Sequence, residues 1–314
     1  MMAFAVAKGL TFGWRFTPAY NVKINSKNDE LEKNLEKHVY VLSSEIGDRN
    51  VDTQYAKLNE AKKYISEKLS SWGYTLMFQN YNTYGKEVSN IIAEKASTNP
   101  NEEVIIIGAH YDSCYNPGAN DNASGVATVL ELARWFKDKN TKKNIRFIMF
   151  TNEEPPFFHT PLMGSRAYAR KLHNDNEKIG AIIIFEMVGR YSNKLFSQRY
   201  PPFIGFSYPN RANFIGIVGN IKSNNLVKKI KDIFKKKSSF PVEGIAAPDS
   251  VNGIDFSDHW SFWQEGYEAI MLTDTAFLRS NTYHQQSDTY EKLDYPQMGE
   301  VVNAMSKVLE ELSN

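Results

Sequence analysis

The chain has 314 residues, 42% hydrophobic and 23% charged, the balance of a globular protein with a sizeable core rather than of a disordered segment. Its 37 Lys and Arg against 36 Asp and Glu leave a net charge of +1, so no long-range field would gather nucleic acid or an anionic membrane. The single cysteine, Cys114, excludes an internal disulfide and sets aside every Cys-based zinc motif, so any metal is expected to sit on His and carboxylates.

The opening residues MMAFAVAKGLTFGWRF are mildly apolar, but Lys8 and Arg15 interrupt them. No run is long enough for stable membrane insertion and no signal peptide is evident, although a trimmed anchor stays open. Residues 1–30 are therefore expected to be an N-terminal extension and 31–314 a single catalytic domain. From Asn25 to Lys68 apolar Leu31, Leu35, Val39 and Leu42, then Tyr55, Leu58, Ala61 and Ile65, recur at helical spacing and predict two amphipathic helices. Gly73 reads as a helix stop, and Tyr74–Tyr81 and Val88–Glu94 as strands paired around Gly85.

Three short, almost wholly apolar runs follow at Val104–Gly108, Ile145–Phe150 and Ala181–Phe185. Such runs suit strands covered on both faces. Gly125–Lys137 carries Val126, Val129, Leu130, Ala133 and Phe136 at helical spacing and predicts a crossover helix. Phe214–Val218 and Ala269–Thr273 extend the sheet, Asn225–Lys237 is a lysine-rich helix, and Gln297–Leu312 a closing one. The fold class is α/β: one domain with a mixed, centrally parallel sheet flanked by helices on both faces.

Polar clusters begin where three of these strands stop, and in open α/β sheets ligands bind beyond the carboxyl ends of strands. The first strand leads to His110-Tyr111-Asp112, the second to Glu153-Glu154, the third to Glu186. Between them the small-residue loop Gly118–Gly125 carries Asp121, which taken alone reads equally as a helix N-cap. Imidazole and carboxylate donors suit zinc, with positions left for water and substrate, and a pair of metals needs one bridging carboxylate. Asp112 is placed to orient His110 through its second ring nitrogen.

The stretches GAHYDS, GANDNASG, FTNEE, FEMVG, SDHWSFW and YHQQSDT, in order from residue 108 to 289, resemble the M28 family of zinc aminopeptidases and carboxypeptidases. The resemblance implies two zinc ions, one held by His110 and Glu186, the other by Glu154 and His284, with Asp121 shared. It implies Glu153 as general base toward a metal-activated water, and Tyr283 as a donor to the developing oxyanion or as a structural tyrosine. It also implies a peptide substrate, and relatives are often extracytoplasmic; compartment and oligomeric state stay open. The family's usual ligand at position 186 is Asp, so Glu186 leaves side-chain preference and exopeptidase polarity open.

Pro155–Gly164 is a candidate wall for a side-chain pocket, and His159 within it is expected to be structural or pocket-lining. The aromatic segment Tyr191–Tyr208 reads as packing or as substrate surface. Asp258 and His259 are expected behind the ligands, His38 and His173 at the surface. Arg166, Arg190 and Arg279 are the candidate clamps for a substrate carboxylate, which a carboxypeptidase would need. An aminopeptidase is expected on family frequency; carboxypeptidase and single-zinc glutaminyl cyclase are the alternatives, and a non-enzymatic ectodomain is disfavoured.

Overall fold

The apolar runs form the middle of an eight-stranded mixed sheet in the computed structural model, which describes residues 11–17, 29–99 and 103–314. In chain order the strands are β1 (Thr11–Phe12), β2 (Leu76–Thr83), β3 (Lys86–Lys95), β4 (Val104–His110), β5 (Asn144–Phe150), β6 (Ile179–Glu186), β7 (Arg199–Tyr200), β8 (Ile215–Gly219), β9 (Val242–Ala246) and β10 (Ile270–Thr273). The helices are α1 (Asp29–Tyr40), α2 (Tyr55–Ser71), α3 (Gly125–Phe136), α4 (Gly164–Asn174), α5 (Asn224–Lys237), α6 (His259–Trp263) and α7 (Tyr295–Ser313). The large sheet has the order β2-β3-β5-β4-β6-β10-β8-β9. β5, β4, β6 and β10 run parallel, while the β2–β3 hairpin and β8 add antiparallel pairings.

Strand side chains alternate between faces, so each apolar run feeds two cores. Ile105, Ile107 and Ala109 of β4 pack with Ala181, Ile183 and Phe185 of β6 under α1, α2, α3, α5 and α7. Val104 and Ile106 pack with Ile182 and Ile184 on the opposite face, under α4 and α6. That two-sided burial is why the central strands lack polar alternation. Gly73, at φ +87°, follows α2, and Gly85, at φ +76°, turns the β2–β3 hairpin; both demand a backbone conformation that suits glycine.

The expected elements are present with ends shifted by a few residues. β9 was not anticipated: a five-residue edge strand interrupted by Gly244 has little periodic signal. Five-residue α6 was missed for the same reason of length. Of the N-terminal extension, residues 1–10 and 18–28 lie outside the described residues. Thr11 and Phe12 pair with Tyr200 and Arg199, and Arg15 reaches the Glu243 carboxylate of β9, so this described part packs on the domain.

His38, expected at the surface, is buried. It lies seven residues after Leu31 on the inner face of α1, with Nδ1 2.7 Å from the Tyr64 hydroxyl and Nε2 3.3 Å from the Glu131 carboxylate of α3. His173 is exposed near the end of α4, as expected.

Candidate metal centre and substrate cavity

His110 closes β4, Glu186 closes β6, and Glu153 and Glu154 follow β5 by three and four residues. Parallel register places these ends side by side, His110 opposite Phe150. Asp121 comes from the turn ahead of α3 (φ −109°, ψ 91°) and does not cap that helix, whose N-cap position is held by Ser124. The turn begins at Gly118, φ +60°, where a Cβ would lie 2.4 Å from the Asp121 carbonyl oxygen. Only glycine fits such an approach.

The five expected ligands converge. His110 Nε2 is 3.2 Å from Glu186 Oε2 and 3.4 Å from Asp121 Oδ1. His284 Nε2 is 3.1 Å from Glu154 Oε2 and 3.2 Å from Asp121 Oδ2. The two oxygens of Asp121 thus face different imidazoles, each with its own glutamate. Nitrogen and oxygen donors about 2.0–2.2 Å from a tetrahedral ion stand roughly 3.3 Å apart, so this spacing matches two shells with one shared carboxylate. Asp121 Oδ2 and Glu154 Oε1 are buried without hydrogen-bond partners, a costly state that a cation would relieve. The extra methylene of Glu186 does not displace it: Ser257 Oγ donates to its Oε2 at 2.7 Å and Asn122 Nδ2 at 3.3 Å.

Electrostatics state the same demand. Burial, with His110 opposing it, pushes the Glu186 carboxyl up to about 7. Burial and the neighbouring Glu154 and Glu186 raise Glu153 well above the usual carboxylate range, although His110 opposes this. Burial would depress His110, but Glu186 and Glu153 override it and raise the imidazole. Glu153 Oε2 lies 3.9 Å from His110 Nε2, beside the ligands.

Asp112 holds the array from behind. Its Oδ1 lies 3.5 Å from His110 Nδ1, and its carboxylate accepts from the backbone N–H of Glu153 at 3.2 Å and of Glu154 at 3.1 Å. One side chain therefore fixes the backbone of Glu153 and Glu154 and lies beside His110, whose Nδ1 makes no hydrogen bond. Asp258 is fully buried and interacts with His110 by charge, its carboxyl pushed by burial up to about 7. His259, expected behind the ligands as well, instead packs on Trp263 with Nε2 2.7 Å from the Ile254 carbonyl.

Several supporting residues went unnoticed in the sequence. Arg49, fully buried, donates to the carbonyls of Tyr111, Leu42, Gly47, Pro117 and Gly118, clasping the loop that leads from His110 to Asp121. Asp288 Oδ2 accepts from the backbone N–H of Asn120 and Asp121 at 2.9 and 3.0 Å. Asn122 Oδ1 accepts from Met187 N, tying the Asp121 turn to the end of β6. Asn122 and Asp288 stood inside the quoted motifs; Arg49 had no local signal.

The model of peptidase family M28 matches residues 90–309. The uncharacterised protein YfbL of Escherichia coli (strain K12) is 36% identical over 304 residues, covering 94% of this chain and 92% of that one. The chain belongs to peptidase family M28. A probable leucine aminopeptidase of Trichophyton verrucosum is 29% identical over 224 residues, 67% of this M28 chain and 53% of the fungal protein, so the chain spans about half that relative's length. The fold is shared with BSAP, a zinc aminopeptidase from Bacillus subtilis, at a TM-score of 0.70 and 15% identity over 89% of this chain and 95% of that one.

A cavity of about 430 Å³ opens beside this cluster of carboxylates and imidazoles in the M28 chain. Asp121, Glu153, Glu154, Glu186, Tyr283 and His284 form its polar end. Phe158, Val251, Ile254, Phe256, Met271 and Phe277 contribute to a long apolar wall. Pro155 and Phe158 of the first aromatic loop line it, as do Tyr200, Pro201 and Tyr208 of the second. His159 is sandwiched between Phe158 and Trp260, each ring 4.0 Å away, and its Nε2 meets the Asp255 carbonyl.

None of the three candidate clamps lines the cavity. Arg166 pairs with Glu265 and the Ser261 carbonyl, and Arg190 donates to the Lys292 carbonyl. Arg279 is spent on Gln198 and the carbonyls of Arg190 and Phe214. Among the described residues no Lys or Arg forms part of the lining.

Proposed function

We propose that this M28 peptidase is an aminopeptidase working with two zinc ions, one held by His110, Glu186 and Asp121, the other by Glu154, His284 and Asp121. The observation that carries the pair is Asp121, whose two oxygens each face a separate imidazole–glutamate set. Bound zinc supplies Lewis acidity for the scissile carbonyl and acidity for the attacking water. Glu153 takes that water's proton as the hydroxyl oxygen joins the carbonyl carbon, then gives it to the departing amine as the C–N bond breaks. Tyr283 lines the cavity stacked on His284, and burial keeps its phenol protonated, fit to donate to the developing oxyanion.

The cavity chemistry supports cleavage from the amino end. A carboxypeptidase must clamp a terminal carboxylate, and that group would meet no lining Lys or Arg among the described residues. The apolar wall fits a bulky aliphatic or aromatic first side chain. A panel of aminoacyl and N-blocked peptides, assayed with added zinc and with chelator, tests the reading. Zinc-dependent release of free N-terminal Leu or Phe is expected; cleavage confined to N-blocked peptides would overturn the polarity, and cyclisation of a glutaminyl peptide without hydrolysis would overturn the reaction.

A further inference from the structure

A single cysteine set aside every Cys-based zinc motif in the sequence, but that expectation overlooks one thiolate joining a mixed ligand set. Cys114 is that case. It lies four residues beyond His110 in the loop clasped by Arg49, half-buried and free of any disulfide. Its Sγ, a carboxylate oxygen of Glu154 and a ring nitrogen of His284 lie within 4.8 Å of one another. A second observation points to a ligand between these groups: Glu154, only 3% exposed, leaves Oε1 without a hydrogen-bond partner, as does Asp121 at Oδ2.

We propose that Cys114, as a thiolate, is a fourth protein ligand of the metal position formed by Glu154, His284 and Asp121; the inference rests on the two-metal reading above. Donors around zinc sit about 2.3 Å away for sulfur and 2.0–2.2 Å for nitrogen and oxygen, so a thiolate and its co-ligands stand roughly 3.5 Å apart, and a bound ion would draw together a cluster that already lies within 4.8 Å. Coordination exchanges the S–H bond for an S–metal bond and releases the proton to solvent. The two positions then differ in kind. His110 and Glu186 give a nitrogen–oxygen site, whereas the Cys114 position carries a soft donor that prefers zinc or cobalt over magnesium or manganese. Thiolate donation also weakens Lewis acidity there, which assigns carbonyl polarisation to the His110 position.

The test is spectroscopic, because zinc is silent and cobalt(II) is not. The full chain is freed of metal with chelator, then titrated with one and two equivalents of cobalt(II), with bound metal counted after desalting. Cys114 is the only cysteine in the chain, so a thiolate-to-cobalt charge-transfer band in the near ultraviolet has one possible origin. Two bound equivalents with that band, its loss in Cys114→Ser, and roughly 10–100-fold weaker retention of one ion in the variant support the assignment. Two bound equivalents without the band overturn it and leave the metal pair intact. A single bound equivalent overturns the pair itself, and the assignment with it. Alkylation of the unsubstituted chain by iodoacetamide gives a reading that does not depend on a folded variant: metal should slow modification of Cys114 at least about 10-fold, and equal rates with and without metal would count against coordination.

Discussion

Replacing Arg49 by Met tests whether the loop from His110 to Asp121 is held from behind. The guanidinium serves five carbonyls, and the bonds to those of Tyr111, Leu42 and Gly118 are buried. Stranding a buried acceptor costs about 1–3 kcal/mol, so three such groups give roughly 3–9 kcal/mol if no water enters the vacated space. Removing the charge also relieves its desolvation, which lowers the Arg49 pKa to about 10 despite Asp112 and Asp121 nearby; at about 1.4 kcal/mol per pKa unit this returns on the order of 3 kcal/mol. The net expectation is a loss of roughly 0–6 kcal/mol, about 3 kcal/mol at its middle, against a usual total of about 5–15 kcal/mol. An ammonium has only three N–H donors for the same five carbonyls, so Arg49→Lys should fall between wild type and Arg49→Met. Urea unfolding of the three proteins, each with and without saturating zinc, measures the series. Arg49→Met more stable than wild type, or Arg49→Lys less stable than Arg49→Met, would refute the clasp.

Glu153→Gln should keep the bound metal count while lowering kcat by about 10²–10⁴, the usual worth of a positioned general base; metal analysis beside steady-state kinetics separates this from loss of a ligand. Filling the apolar wall with Val251→Trp should shift preference from Leu or Phe toward Ala substrates by roughly 10–200-fold in relative kcat/KM, and an unchanged ratio would place the side-chain pocket elsewhere. Burial lowers His259 to about 4 from its ordinary 6.5, so below pH 6.5 the unfolded chain binds a proton that the folded chain refuses. This contribution to stability is complete above pH 6.5 and declines as pH falls toward 4, by about 2 kcal/mol at pH 5. Unfolding at pH 7 and pH 5 should show the gap between wild type and His259→Gln narrowing by about that amount, and parallel losses in the two proteins would contradict the assignment.

Periodicity and strand-end chemistry carried much of the molecule. Apolar runs such as Val104–Gly108 have no other stable home than a sheet covered on both faces, and residues just beyond parallel strands must share one rim. His110, Glu153, Glu154 and Glu186 could therefore be grouped before any contact was known. Asp121 could not be separated from a helix cap on its own sequence; the cavity around it and its two imidazole neighbours make the difference. His38 was misjudged because a histidine within an apolar stripe is read by type, whereas its burial depends on α1 meeting α3 at Glu131.

What sequence alone determined is the set of groups whose role follows from local order: the strands, the crossover helix and the residues directly after them. Tertiary structure alone decided which distant groups meet. Arg49 gathers carbonyls up to 69 residues away, and Asp288 holds a turn 167 residues before it. Arg166 and Arg279 are drawn away from the cavity by partners that no spacing announces. Cys114 belongs to the same class: its meaning comes from Glu154 and His284, brought close by the packing of three loops. Local patterns are written by backbone geometry at short range, while the identity of a long-range neighbour emerges only when the whole core closes.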